Sequence, residues 1–152
     1  MQTKSHLTAI SRKTLPVPTR WLMKAGLMVG TVMDYGCGKC ASVNPPKWIN
    51  HDPYYHAIDL DRLRGSFSTI ICVYVLCTLP DAERKPVLAD IQSLLTDDGV
   101  AYIAVRNDKP KQGWGLSSRG TYQGRVRKIV LPLLYKNAQF RIYKLTKTTN
   151  LG

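Results

Sequence analysis

Met33-Asp34-Tyr35-Gly36-Cys37-Gly38-Lys39-Cys40 is the stretch of this chain whose reading decides the fold. The apolar run Thr31-Val32-Met33 leads into an acid and then two glycines one residue apart. That order predicts a buried strand turning sharply into a loop whose backbone lies against a ligand. Glycine permits the φ/ψ values of such a turn and leaves no Cβ in the way. The acid two positions before the first glycine narrows the ligand class. A loop wrapped around a pyrophosphate gains nothing from a carboxylate there. A ligand that is positively charged and carries no phosphate does.

Working outward, the 152 residues suffice for one domain with a core of ordinary size. An apolar content of 44% is that of a globular protein rather than a disordered one. The longest strongly apolar run, residues 70–76, is far too short to span a bilayer. The start, Met1-Gln2-Thr3-Lys4-Ser5-His6, has no apolar signal core, so the expectation is a cytoplasmic protein with four free thiols. Net charge is +12, and it is unevenly spread. Residues 1–33 carry Lys4, Arg12, Lys13, Arg20 and Lys24 and no acid. Residues 106–147 carry eleven Lys/Arg and one acid, Asp108. A near-neutral centre between two basic ends predicts a nucleic acid or nucleotide-like partner; the plainer alternative is a solvated basic surface.

The elements follow from periodicity and punctuation. Residues 18–26 read as a short helix entered through proline and ended by glycine, within a basic N-terminal segment, 1–28. The first strand is 31–34. Asn44-Pro45-Pro46 cuts the first crossover helix very short. Residues 48–52 and 56–60 read as second and third strands, each ending near an acid. Residues 68–74 are the clearest strand, β-branched and buried on both faces. Residues 81–95 form a helix with Val87, Leu88, Ile91, Leu94 and Leu95 on one face, Asp81 as its N-cap, and Pro86 moving its start one or two residues on. Asp97-Asp98-Gly99 turns into a strand over 100–106. Residues 129–135 and 140–145 form a C-terminal antiparallel hairpin, and 107–123 a long polar loop on the substrate side. The fold class is therefore α/β: one Rossmann-like domain over 1–152, with a mostly parallel sheet.

In such a sheet, ligands bind beyond the carboxyl ends of the strands. The glycine loop of Tyr35, Gly36, Cys37 and Gly38 follows the first strand. Asp52, sixteen residues after Gly36, follows the second and is placed to accept from two ribose hydroxyls. Asp59 or Asp61 follows the third, where an adenine amino group can donate. Cys72, Val73 and Tyr74 leave the fourth beside the reacting centre. S-adenosylmethionine (SAM) is a nucleoside with an ammonium and a sulfonium and no phosphate, so it suits this order of features. A dinucleotide fits Gly36-x-Gly38-x-x-Ala41 loosely, but Asp34 is wrong for it.

Asp34-x-Gly36-x-Gly38 resembles the first motif of class I SAM-dependent methyltransferases. Residues 65–72 with Val75-Leu76 and Leu79-Pro80 resemble the strand-four motif of that superfamily, and 97–103 its strand-five beginning. A narrower likeness runs through His6-Leu7-Thr8-Ala9-Ile10-Ser11-Arg12-Lys13, Asp34-Tyr35-Gly36-Cys37-Gly38, Asp52-Pro53 and Ser118-Arg119-Gly120-Thr121-Tyr122-Gln123. These blocks are similar to the methyltransferase region of proteins associated with DNA phosphorothioation, and to small phage methyltransferase-like proteins. The resemblance implies SAM binding by Asp34, Gly36, Gly38 and Asp52. It does not supply a substrate. Three departures stand out: Cys40 in place of a third glycine, the missing crossover helix, and the expected lack of a separate target-recognition domain.

Methyl transfer needs positioning and exclusion of water, and a base only where the acceptor must lose a proton. Arg119, Tyr122 and Tyr74 are the catalytic candidates; Arg106, Ser118, Arg119, Tyr122 and Gln123 are the substrate contacts, since a cation beside an aromatic suits a base or phosphate. Asn44-Pro45-Pro46-Lys47-Trp48 lies before the second strand, away from where amino-methylation of DNA bases would use such a motif, and reads as a loop replacing a helix. Cys77 lies on an apolar segment and reads as a buried thiol. Cys37-x-x-Cys40 with Cys72 and Cys77 invites a zinc reading, but the first pair lies inside the cofactor loop and the second is spaced by four residues on or beside a strand, so no metal is expected. His51 and His56 flank the second strand's end in packing or surface roles. Tyr54 and Tyr55 suit either a cover over adenosine or closure of the core. The alternative function is a SAM-binding or SAM-consuming interaction protein of the phage anti-host or anti-restriction type, without transfer.

Overall fold

The computed structural model describes residues 5–9, 13–111, 113–127 and 129–152. Ile10, Ser11 and Arg12 of the N-terminal block, and the cations Lys4 and Lys128, lie outside the described residues. The elements are α1 (Val17–Lys24), β1 (Val32–Tyr35), β2 (Ile49–His51), β3 (Phe67–Val73), α2 (Asp81–Leu94), β4 (Leu95–Arg106), β5 (Gly115–Leu116), β6 (Tyr122–Gln123), β7 (Leu133–Lys136) and β8 (Phe140–Thr146). Six strands form one sheet in the order β2-β1-β3-β4-β8-β7, and β5 pairs with β6 separately. β2, β1, β3 and β4 are parallel, while β8 is antiparallel to both β4 and β7. This is the expected mixed α/β domain with a mostly parallel sheet and a C-terminal hairpin.

Strand alternation divides the core between two faces. Ile70 and Cys72 of β3, and Ala101, Ile103 and Val105 of β4, pack on the face shared with Leu88, Ile91 and Leu94 of α2. Ile71, Tyr102 and Ala104 face the other way, against Leu22 of α1, Phe140 and Ile142. α1 begins at a proline turn and is followed by Gly26 at φ +73°, as its sequence predicts.

Several expectations are corrected. No strand forms over 56–60. Asp52 Oδ1 accepts from the amides of Tyr54 and Tyr55, and Asp59 accepts from the Asp61 amide. Asp52 and His56 also exchange both backbone hydrogen bonds at 3.0 Å, so the chain turns back on itself directly after β2; β2 is the edge of the sheet, and Asp59 caps a 3-10 turn, Leu60–Leu63. Pro80, not Asp81, is the N-cap of α2, and the helix runs from Asp81 straight through Pro86. The carbonyl that Pro86 leaves without an intrahelical donor is that of exposed Ala82, where water can reach it. β4 starts at Leu95, before the acidic turn, with a register shift opposite β3 between Phe67 and Thr69. A Cβ on Gly99 would stand 2.7 Å from the Phe67 carbonyl oxygen. β7 begins only at Leu133, since Pro132 brings no amide to the ladder. The loop 107–123 holds the β5–β6 hairpin.

Successive crossovers from β1 run in opposite directions, to β2 on one side and towards β3 on the other. The carboxyl ends of β1 and β3 thus open a crevice at a topological switch point. As expected, the first crossover has no α-helix, only a 3-10 turn, Cys40–Ser42. Among the described residues no helix is long and apolar enough to cross a membrane.

Candidate functional site

The crevice is a cavity of about 1270 Å³. That exceeds the roughly 300–1,000 Å³ of common ligand pockets, so it has room for two molecules side by side. Its floor is the loop after β1. Gly36 and Gly38 take φ +76° and +54°, values that L side chains rarely adopt. A Cβ on Gly36 would lie 2.4 Å from Val75 Cγ2, so the exits of β1 and β3 meet only because that atom is absent. The loop is held from one side. The Gly36 and Cys37 amides both donate to the His51 carbonyl, at 2.7 and 2.9 Å. The Gly38 amide donates to Asp52 Oδ2 at 2.9 Å.

Asp34 sits beneath this loop, lines the cavity and is only 5% exposed. No salt bridge among the described residues neutralises it. Its Oδ2 accepts from Asn44 Nδ2 at 2.8 Å, and the same amide nitrogen donates to Asn50 Oδ1 at 2.7 Å. Burial pushes the Asp34 carboxyl up to about 6, with the Asn44 bond pulling it down and Asp52 pushing it further up. When ionised, this buried carboxylate works against the unliganded fold, because burial favours its protonated form. Asn44 was missed as a functional residue in the sequence. Its signal was the Asn-Pro-Pro loop itself, which replaces a helix directly above the strand-end acid.

The chain leaves β3 through Tyr74 at φ +61°, a non-glycine residue in the left-handed region beside the cavity. Val73, Tyr74 and Val75 line the cavity; Cys72 is fully buried in the sheet and does not. The Cys77 thiol is 1% exposed and donates to the Tyr74 carbonyl at 3.3 Å. Burial pushes the thiols of Cys72 and Cys77 upward, and that of Cys37 up to about 12, so these sulfurs are held as thiols. No group of His, Cys, Asp or Glu that could hold a metal ion occurs among the described residues.

The other half of the cavity is built by the end of β4 and the β5–β6 hairpin. The Arg106 guanidinium meets Asp108 through two bonds of 3.2 and 3.0 Å. Ser117 Oγ lies 2.5 Å from Thr121 Oγ1 and closes the hairpin, leaving Ser118 and Arg119 exposed at its tip. Gln123 lines the cavity, and its Oε1 is buried with no partner. The hairpin is anchored where the Gly124 amide donates to the Cys77 carbonyl at 2.6 Å. At the rim the His6 ring stacks on Tyr54, 4.0 Å between centroids, and Tyr55 Oη donates to the His6 carbonyl at 3.0 Å.

The cavity therefore gathers Asp34, Gly36, Gly38, Asp52, Val73, Tyr74, Arg106, Ser118, Arg119 and Gln123 from the sequence reading. Asp59 lies outside it, exposed and paired with Arg62 at 3.3 Å. Tyr122 points to the opposite face of its strand, into a second groove with Arg125 and Val126. Tyr35 contributes backbone only, since its hydroxyl donates to Asp90 Oδ2 on α2 at 2.5 Å. His51 packs on that same ring, 5.2 Å between centroids. Pro16 and Thr19, Thr121 and Gln139 also line the cavity, with no local signal to mark them.

No family model matches the chain, and no curated protein does. Among solved structures, it is similar to magnesium protoporphyrin IX methyltransferase (ChlM) from Synechocystis PCC 6803 with bound SAM, at 20% identity over 84% of this chain and 74% of that one, TM-score 0.46. It is also similar to a TehB-like SAM-dependent methyltransferase from Corynebacterium glutamicum, at 19% identity over 86% and 96%, TM-score 0.44. A third likeness is to a protein solved in work on conversion of a disulfide bond into a thioacetal group during echinomycin biosynthesis, at 18% identity, TM-score 0.47. There the match covers 61% of this chain, which spans half the length of that protein.

Proposed function

We propose that this chain is a SAM-dependent methyltransferase acting on a nucleic acid or nucleotide-like acceptor. One observation carries the reading: a buried carboxylate, Asp34, with no salt-bridge partner among the described residues, beneath a glycine loop at the floor of a two-molecule cavity. An uncompensated buried charge is unfavourable, and a cationic ligand removes the penalty. The donor set fits SAM. Asp34 holds the ammonium, the Gly36 and Gly38 backbone admits the ligand closely, and Asp52 reaches the ribose through whatever accepting capacity its three amide bonds leave. Asp59 and Cys72 are not carried into the site.

When bound, SAM supplies a methyl carbon activated by sulfonium. The residues of the chain do the rest by orientation and by excluding water. Tyr74 and Val75 border the region where the two molecules meet. Arg119 and Ser118 face the acceptor from the hairpin tip, with Arg106 and Gln123 deeper. Arg119 beside the charge excess of +12 suits a phosphate or base. Asp108 is engaged by Arg106 and Cys77 keeps its proton, so neither serves as a base, and the site suits an acceptor whose lone pair is already available; His6 is an imidazole at the rim. The engagement of Asp108 and Cys77 favours one second reading, a SAM-binding protein without transfer activity.

Calorimetry with SAM, its demethylated product S-adenosylhomocysteine (SAH) and NAD tests the ligand class; binding of the first two and not the third is expected. Mass spectrometry of oligonucleotides incubated with protein and methyl-labelled SAM separates the two readings. Label in the nucleic acid supports transfer. SAM binding without label in any oligonucleotide favours the second.

A further inference from the structure

We propose that Asn44 is the positioning residue of the cofactor site: it fixes the Asp34 carboxylate for a cationic ligand without cancelling its charge. This rests on the SAM reading above and names what makes that site work in this particular chain. Asp34 and Asn50 are register partners on the neighbouring parallel strands β1 and β2. Asn44 bridges the two from above, giving one Nδ2 hydrogen to each. Turning the amide over would aim its oxygen at two other oxygens, so the donor orientation is dictated by its partners.

The segment delivering Asn44 is built to hold it. The amides of Val43 and Asn44 both donate to the Cys40 carbonyl, and the Trp48 amide donates to the Pro45 carbonyl. Pro45 and Pro46 restrict φ directly after Asn44. Asn44 is 7% exposed, and its own Oδ1 is buried without a partner. An arrangement that leaves one acceptor unsatisfied to hold an uncompensated carboxylate is a poor device for stability and a good one for binding.

Substituting other residue types in thought shows why asparagine stands here. Lysine would neutralise Asp34 and leave nothing for an ammonium. Aspartate would add a second negative charge, and leucine would leave Asp34 Oδ2 without its donor. The other titratable groups facing Asp34 are Asp52 beyond β2, Cys37 in the glycine loop and Cys72 in β3. None of these is a cation. Pro16 and Thr19, at and after the N-cap of α1, line the cavity without charge, and the N-terminal turn lines it with His6; the cations lining it are Lys39, whose Nζ lies 5.6 Å from the Tyr55 ring centroid, and Arg106 and Arg119 in the other half.

The test uses the full chain and variants Asn44→Ala, Asn44→Leu and Asp34→Asn. Carbon-13 NMR follows the Asp34 carboxyl of the unliganded protein from pH 4 to 9, and calorimetry measures SAM and SAH binding over the same range. In the wild type, affinity should rise as pH passes the Asp34 midpoint, level off near neutrality and fall again as the ligand's ammonium loses its proton near about pH 8. Asn44→Ala should move the Asp34 midpoint upward and weaken SAM and SAH binding about tenfold at neutral pH, with partial recovery between that midpoint and the ligand's own titration. Asn44→Leu keeps most of the side-chain volume and should behave alike, which preserves the comparison if the alanine variant fails to fold. A folded Asn44 variant with the wild-type midpoint and affinity overturns the inference while leaving the SAM reading standing. A wild-type chain that binds neither SAM nor SAH overturns both.

Discussion

The two halves of the cavity are built in opposite ways. The half around Asp34 is made of strand ends and backbone amides: three amides of the 36–38 loop point at the His51 carbonyl and the Asp52 carboxylate. The half around Arg119 is a hairpin with two-residue strands and an exposed tip, tied down near Gly124 by Cys77 and by Arg84, whose Nη2 donates to the Gly124 carbonyl at 3.3 Å. Rigid backbone suits a ligand whose shape never varies. A side-chain-rich loop on a firm anchor suits selection among acceptors. The two halves should therefore respond differently to mutation.

The largest effect is expected at Asp34. Asp34→Asn should weaken SAM binding on the order of a hundredfold while raising the melting temperature of the unliganded protein. Burial pushes the folded carboxyl up to about 6, above the ordinary aspartate range, so the folded state holds its proton to higher pH. Unliganded stability should fall as pH rises from about 4 to 6 and then stay level. Asp34→Asn should flatten that slope in a pH series of thermal melts. A variant that loses both binding and stability would break the contrast, because it would make Asp34 an ordinary structural residue.

Next is Gly36→Ala. Its methyl would meet Val75 Cγ2 at 2.4 Å, and φ is +76°. Destabilisation by about 1–3 kcal/mol is expected in urea titrations. Adding Val75→Ala should restore the part due to the clash and leave the part due to φ. Arg119→Ala should leave SAM affinity unchanged and lower transfer to oligonucleotides about tenfold, read by labelled-methyl incorporation. Tyr122→Ala should matter least, within about threefold, since its ring faces the second groove and not the cavity. A larger loss at Tyr122 than at Arg119 would mean that the hairpin shifts by one residue when it works.

Much of the cofactor half was legible because its signals are local. The two glycines, the acid before them and the apolar strands lie within a few residues of one another, and the continuous β-branched run of β3 reads as a strand buried on both faces. The misreadings have local causes as well. After β2 the backbone of His56 pairs back onto Asp52, and the Asp52 side chain ties the amides of Tyr54 and Tyr55 into the turn between them, so no third strand extends the sheet. At Pro86 a helix long enough to bury Leu88, Ile91 and Leu94 absorbed a residue that propensity alone would place outside it.

From its residues alone this chain specified a parallel sheet, a missing first helix and a glycine loop with an acid below it. Backbone preference and hydrophobic period act over a few positions, and those features need nothing more. The role of Asn44, the direction of Tyr122 and the pairing of Tyr35 with Asp90 emerged only on folding. The first and last depend on which polar group finds which partner across ten and fifty-five residues of chain, and the second on which face of a two-residue strand meets the cavity; all are settled by packing, not by neighbours in sequence.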